Sequence, residues 1–306
     1  MNSIELRQIG VRFGGVQALD DVTVAVEKAE VVLLAGPNGA GKSTLIHTLL
    51  GLVRPQKGEL FVDGQPHPVN NSFKDQVAYL PEAVAFAPSL TGRQVLRFFA
   101  RARGVSSRRI EEVLEQVGLR NAGDRAVRGY SRGMRQRLGL AVTLLPEASV
   151  VVLDEPTGGL DQEGLQVLWE VLEKWRDQGR MVLMSSHDLT LLERRVDRIC
   201  LLCEGRVMAD DSPAGLRTRA NLPARVTFGL SETNGASLRE LLKEHYGDDV
   251  YEGEGSKLHV DIAVDGLLEL LDLRGRHPES VESIRVEEPG LDLIYERLLE
   301  TAKEAS

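Results

Sequence analysis

A chain of 306 residues, 42% hydrophobic and 27% charged, has the composition of an ordinary globular protein long enough for two domains. Its net charge of −9 argues against a nucleic-acid partner, and none is expected. No apolar run approaches the roughly 18–20 residues that span a bilayer, and Met1 to Arg7 lacks the layout of a secretory leader, so a cytoplasmic protein is expected.

Residues 4–27 read as strands, with loose alternation to Phe13 and a β-branched run at Val22–Val26. The apolar run Val31–Ala35 predicts a buried strand, and it feeds Gly36, Pro37, Asn38, Gly39, Ala40, Gly41, Lys42, Ser43 and Thr44. The first eight of these nine residues match the phosphate-loop pattern G-x-x-x-x-G-K-[ST] in the strand–loop–helix context that the pattern requires. The glycines let successive N–H groups point into one concavity, and the helix beginning near Lys42 adds its positive end. Lys42 supplies a point charge for the β- and γ-phosphates, and Ser43 a hydroxyl for Mg²⁺. A nucleoside triphosphate is the predicted ligand.

A turn at Arg54–Gly58 and a strand at Glu59–Val62 follow; helical spacing then dominates, giving an expected helical subdomain over about 84–148. Strands at Val150–Asp154 and Met181–Met184 flank a helix at about 162–178, which predicts a mainly parallel sheet covered on both faces. Asp197–Met208 reads as one short strand whose Cys200 and Cys203 face opposite sides. That arrangement favours buried thiols over a metal or redox pair. The remaining histidines show no metal-ligand spacing. Composition shifts near Ser212–Pro213, and the order βαββαβ beyond it predicts a small ferredoxin-like α+β domain. The expected division is 1–216 and 222–306.

Further elements narrow the chemistry. Asp154 at a strand end is placed to hold Mg²⁺ opposite Ser43, and Glu155 to orient or deprotonate an attacking water. Asp161 closes the turn Gly158–Asp161, and His187 follows a strand where it can contact the γ-phosphate. Tyr130–Gln136 opens a helix and makes a second anion-binding N-terminus.

At these residues the chain resembles the nucleotide-binding subunit of ABC transporters, over about residues 3–212. The resemblance implies a P-loop NTPase cassette of α/β class with ATP and Mg²⁺ as cofactors. It also implies a homodimer and a multi-span permease as partners at the cytoplasmic face of the inner membrane. It makes Phe13 the aromatic that stacks on adenine, Glu155 the catalytic carboxylate and His187 the switch histidine. Ser131 and Gly133 would clamp the γ-phosphate of ATP held by the opposite subunit, and Asp161 would couple the two sites. Glu82 would stand near Mg²⁺ where the family carries glutamine. The signature also departs from Leu-Ser-Gly-Gly-Gln at Tyr130, Arg132 and Met134.

The basic helix Arg93–Arg103, with Phe98 and Phe99, is either a solvated face over a packed aromatic pair or a surface beside the permease groove. Tyr79–Glu82, Phe86, Pro88 and Leu90–Gly92, with Tyr130–Leu140, resemble the ATPase of the nitrous-oxide reductase maturation transporter. That system serves copper-site assembly, and the resemblance implies a periplasmic maturation factor reached through the permease. ATPases of drug or polysaccharide exporters are the alternative. A soluble ABC ATPase acting on RNA or DNA fits less well, because neither a second cassette nor a long coiled-coil insertion is present. The C-terminal domain reads as a dimerisation or spacing module, or as a small-ligand sensor.

Overall fold

The computed structural model describes residues 1–231, 234–263 and 266–304, apart from the side chains of 273, 274 and 302–304. The chain divides into two compact units, Met1–Pro213 and Ala214–Ser306, so the division falls just ahead of the expected boundary at 216.

The first unit begins with β1 (Ser3–Phe13), β2 (Val16–Glu27), β3 (Val31–Ala35), α1 (Lys42–Leu49), β4 (Lys57–Val62) and β5 (Gln65–Pro66). A short α2 (Asn71–Asp75) and β6 (Val77–Leu80) lead into the helical region: α3 (Gly92–Ala102), α4 (Arg108–Gln116) and α5 (Arg132–Leu144). Then come β7 (Val150–Asp154), α6 (Gln162–Asp177), β8 (Met181–Ser186), α7 (Leu189–Leu192), β9 (Arg198–Cys203) and β10 (Arg206–Asp211).

Two sheets result, ordered β2-β1-β4-β5 and β10-β9-β3-β8-β7-β6. The second is parallel except for its edge strand β10, and every residue of β3, β7 and β8 is buried. Burial on both faces is why these strands read as unbroken apolar runs. One core joins the sheets: Ile4, Leu6 and Val24 of the antiparallel layer pack with Val32, Leu34 and Val152 and with Leu45, Ile46 and Leu49 of α1. The register then sets the site. Ala35 pairs with Ser186 and Asp154 with Ser185, so the turns after β3, β7 and β8 emerge side by side at the carboxyl edge of the sheet.

Asp197–Met208 is not one strand. It folds back at Glu204 and Gly205, whose φ values of 47° and 76° make the left-handed pair of a tight hairpin between β9 and β10. Cys200 is buried in β9, where burial raises its thiol pKa, and Cys203 is half-buried at the strand end; neither forms a disulfide. The reading in sequence also passed over α2, β6 and the helix at Pro213–Ala220.

The second unit contains α8 (Pro213–Ala220, whose first residue closes the first unit), β11 (Ala224–Leu230), α9 (Gly235–Tyr246), β12 (Val250–Glu252) and β13 (Lys257–Ile262). It ends with α10 (Leu267–Arg276), β14 (Val281–Glu287) and α11 (Leu291–Glu304). Its sheet is antiparallel throughout in the order β12-β13-β11-β14, the strand order of a ferredoxin-like fold. Val226, Phe228 and Leu230 face Leu238, Leu242 and Leu270 across its core. The opposite face of the sheet carries Arg225, which forks onto Asp261 at 2.8 and 3.1 Å, and Tyr251, whose hydroxyl donates to the same carboxylate. Among the described residues, no helix is long and apolar enough to cross a membrane.

Candidate nucleotide-binding site

Gly36 and Gly41 are held in conformations that other residues rarely adopt, with φ values of 146° and 106°. A Cβ at Gly36 would collide with the Leu202 carbonyl; at Gly41 it would lie 2.7 Å from Leu19 Cδ2 and 2.8 Å from the Ala18 oxygen. Gly41 caps α1 with no side-chain hydrogen bond, so no side chain competes for the amides of the first turn. Lys42 is buried, and its Nζ donates to the carbonyls of Gly36 (2.7 Å) and Pro37 (3.2 Å). Burial lowers its pKa, against the opposing pull of the Glu155, Asp154 and Glu82 carboxylates.

A cleft of about 320 Å³ opens over this loop. Asn38 to Thr44 form one wall, and Val16, Gln17, Ala18, Glu82, Glu155 and His187 complete it. Gly36 and Pro37 lie behind the lining as acceptors for Lys42. Phe13 is not part of the wall but stands at the end of β1, paired with Val16 and 53% exposed, so it is no core aromatic.

Asp154 is buried at the end of β7, where the Ser185 hydroxyl donates to its Oδ1 at 2.5 Å. The same hydroxyl oxygen accepts the Glu155 N–H at 3.0 Å, and Glu155 itself sits at φ 47°, a conformation of stored strain for a non-glycine residue. His187 Nδ1 lies 2.9 Å from Glu155 Oε2. Against an ionised Glu155 that nitrogen carries the proton, which leaves Nε2 to face solvent or ligand. Ser43 and Glu82 line the cleft, and the Asp154 and Glu82 carboxylates act on Lys42 beside it; oxygen donors of this kind suit a hard cation such as Mg²⁺. Among the described residues no cluster of three His, Cys, Asp or Glu could hold a metal.

Two residues beside the site have no role there assigned from sequence. Ser185 ties Asp154 to the Glu155 backbone, and only the register of β7 against β8 reveals it. Tyr79 is half-buried near the carboxylates, and its hydroxyl pKa is pushed up to about 12 by burial and then by the charges of Asp154 and Glu82.

The remaining expected residues lie outside the cleft wall. Ser131 caps α5, its Oγ accepting the Met134 N–H at 3.1 Å. Gly133 is buried against the Gly159 carbonyl, where a Cβ would sit at 3.1 Å. Asp161 caps α6 by accepting the Gly164 N–H at 2.9 Å. Gln136 Nε2 donates to the Pro156 carbonyl at 3.4 Å and joins α5 to the turn after Glu155. Tyr130, the first departure from the usual signature, is buried and donates to the Ala122 carbonyl at 2.7 Å. On α3, Arg93 pairs with Asp124 and Glu111, and Arg103 donates to the carbonyls of Lys74 and Val77. Arg97 and Arg101 are exposed, as is Phe98 at 65%, while Phe99 packs edge-on against Phe86 and Phe98.

A glycine loop between a buried parallel strand and a helix, facing a carboxylate pair on a neighbouring strand, defines a P-loop nucleotide-hydrolysing cassette. The family model described as "ABC transporter" matches residues 19–158. The uncharacterized ABC transporter ATP-binding protein YhcH of Bacillus subtilis is 37% identical over 213 residues, 67% of this chain and 68% of its own length. The Nod factor export ATP-binding protein I of Burkholderia lata is 35% identical over 70% of this chain and 72% of its own. The doxorubicin resistance ATP-binding protein DrrA of Mycobacterium tuberculosis is 32% identical over 298 residues, 92% of this chain and 88% of its own. A solved ATP-binding subunit of an ABC transporter superposes with a TM-score of 0.65 at 31% identity, covering 71% of this chain and 92% of its own. The ADP conformation of the cassette MJ1267 shares the fold, with a TM-score of 0.61 at 22% identity over 69% of this chain and 91% of its own. The chain belongs to the ABC transporter ATP-binding family. It is an ATP-binding subunit of an ABC transporter, and ATP hydrolysis is the characteristic activity of that family.

Proposed function

We propose that this chain energises a membrane exporter as a homodimer enclosing two ATP molecules. Each nucleotide would lie between the cleft of one copy and Ser131, Gly133 and Asp161 of the other. The observation that carries this reading is the split within one chain: the wall of the cleft includes Lys42, Glu155 and His187 but none of those three residues. On this reading a single copy holds half of each of two sites.

Within the cleft, the loop amides and Lys42 hold the triphosphate, and Phe13 offers an exposed ring for the adenine. Glu155 orients the attacking water and accepts its proton, with its backbone aimed by Ser185 and its Oε2 steadied by His187. Most of the rate enhancement would come from placement and fixed charge rather than covalent chemistry. Mg²⁺, held by Ser43 and Asp154 with Glu82 nearby, would neutralise charge between the phosphates.

The permease would meet the exposed Arg97, Phe98 and Arg101 of α3 at the cytoplasmic face of the inner membrane. The C-terminal unit serves dimerisation or spacing. Export is favoured because DrrA, a drug-resistance ATPase, aligns through both units. A second reading, copper-site maturation of nitrous-oxide reductase with a periplasmic factor beyond the permease, rests on the resemblance carried by Tyr79–Glu82 and Tyr130–Leu140.

The test is Glu155→Gln mixed with ATP and Mg²⁺. It should form a dimer that retains nucleotide while hydrolysis falls about 10²–10⁴-fold. A strict monomer, or hydrolysis at the wild-type rate, would overturn the two-copy mechanism. Deleting the gene separates the cargo readings: lost efflux of a small molecule supports export, and copper-deficient nitrous-oxide reductase supports maturation.

A further inference from the structure

Arg132 occupies a signature position that is usually glycine, and its side chain lies across the pair Gly158–Gly159. A Cβ built at Gly159 would meet Arg132 Cδ at 2.6 Å and Cγ at 2.7 Å, with Nε nearer still; one at Gly158 would stand 3.9 Å from a terminal guanidinium nitrogen. Gly159 is also at φ 80°, so glycine is required there twice, by backbone conformation and by the side chain above it. Arg132 is exposed and forms no ion pair with a carboxylate among the described residues, so no salt bridge accounts for its placement. The contacts of Gly133 with the Gly159 carbonyl and of Gln136 with the Pro156 carbonyl run beside it. The start of α5 thus lies against Pro156 and the turn Gly158–Asp161, directly after Glu155.

We propose that Arg132 is a positioning residue that locks the signature helix to this segment through its alkyl stem. The inference rests on the two-copy reading above. Ser131 then engages one nucleotide in trans while Glu155 serves the chain's own nucleotide, and Arg132 makes the two move as one body. Engagement of the partner's γ-phosphate would be transmitted within the chain to its own water-orienting carboxylate.

The experiment is steady-state ATP hydrolysis by the full-length chain carrying Arg132→Ala, Arg132→Met, Arg132→Lys, Gly159→Ala and the Arg132→Ala/Gly159→Ala pair. Arg132→Ala should lower kcat about tenfold or more with KM for ATP within about twofold, because a slight misplacement of a catalytic group costs rate rather than binding. Met and Lys, which keep the long stem, should restore most of the rate. The double variant should be no slower than the worse single one, since both substitutions break one contact. Wild-type kcat in Arg132→Ala, Met performing as poorly as Ala, or losses that multiply independently would each overturn the proposal. Glu155→Gln keeps the two readings apart. If it dimerises with ATP while Arg132→Ala hydrolyses normally, only the role of Arg132 falls; if it stays monomeric, the two-copy mechanism falls first.

Discussion

The phosphate loop and the signature segment are both helix N-termini, and both read in the sequence as anion cradles, yet the structure finishes them differently. Gly41 caps α1 with no side chain at all, and the lysine beside it is folded back onto the carbonyls of its own loop. Ser131 caps α5 with its hydroxyl already engaged by the Met134 N–H. One end keeps its donors for a ligand; the other has satisfied part of its own need. The first is a cradle complete within a single chain. The second keeps its Ser131 O–H free to donate to an external oxygen while Oγ accepts the Met134 N–H, and on the two-copy reading that oxygen belongs to the partner's nucleotide.

Substitutions that test this contrast should differ in both size and kind. Lys42→Met should weaken ATP binding about 100-fold, the loss of a charge-assisted contact worth about 2–3 kcal/mol, with the fold intact; titration with a fluorescent nucleotide would read it. Gly41→Ala should come next. Its methyl would press on Leu19 and the Ala18 oxygen in a left-handed backbone, so both the thermal midpoint and nucleotide affinity should fall, with about 1–2 kcal/mol lost to conformation alone. Ser185→Ala would leave the Glu155 N–H without its present acceptor and Asp154 without its donor. It should cost about 1–3 kcal/mol in chemical denaturation and lower kcat more than it raises KM. Ser131→Ala should cost about 1 kcal/mol of stability as a lost helix cap, yet leave the affinity of an isolated copy for ATP unchanged. A large loss of affinity in that monomeric protein would erase the distinction between the two helix ends.

The smallest effect concerns pH. The pKa of Lys42 is lowered in the folded chain, so the unfolded chain binds the proton more tightly. Its burial therefore costs stability near neutrality, and that cost fades as pH rises through the folded pKa toward 10.5, the unperturbed value. Nucleotide-free wild type should gain on Lys42→Met in denaturation experiments as pH is raised across that window. A gap that widens in favour of the variant would show that the lysine is not desolvated.

Much of this architecture could be read from residue order. Buried parallel strands advertise themselves as unbroken apolar runs, and β3, β7 and β8 each end at a residue whose successor is chemical: Gly36, Glu155 and His187. What escaped reading depended on partners distant in the chain or on weak local signals. The β9–β10 hairpin turns on Glu204 and Gly205, not on the Asn-Gly or Asp-Gly pairs that announce such turns. Strand β6 has only four residues, too few to show a period. The part played by Ser185 exists only because Asp154 stands opposite it in the register, and Arg132 over Gly159 is likewise a contact between a helix start and a turn distant in the chain. The exposure of Phe98 beside a packed Phe99 separates two adjacent rings that composition treats alike.

The two thiols of β9 have a practical consequence. Cys200 is sealed inside the sheet, whereas Cys203 stands at its margin two residues before Gly205, whose N–H donates to the Ala40 carbonyl of the phosphate loop at 3.0 Å. Of the two thiols Cys203 is the less buried, so a maleimide dye should react there first. A dye on Cys203 would therefore sit two residues from the contact that joins this hairpin to the phosphate loop, and its response to added ATP can be measured without any engineered cysteine.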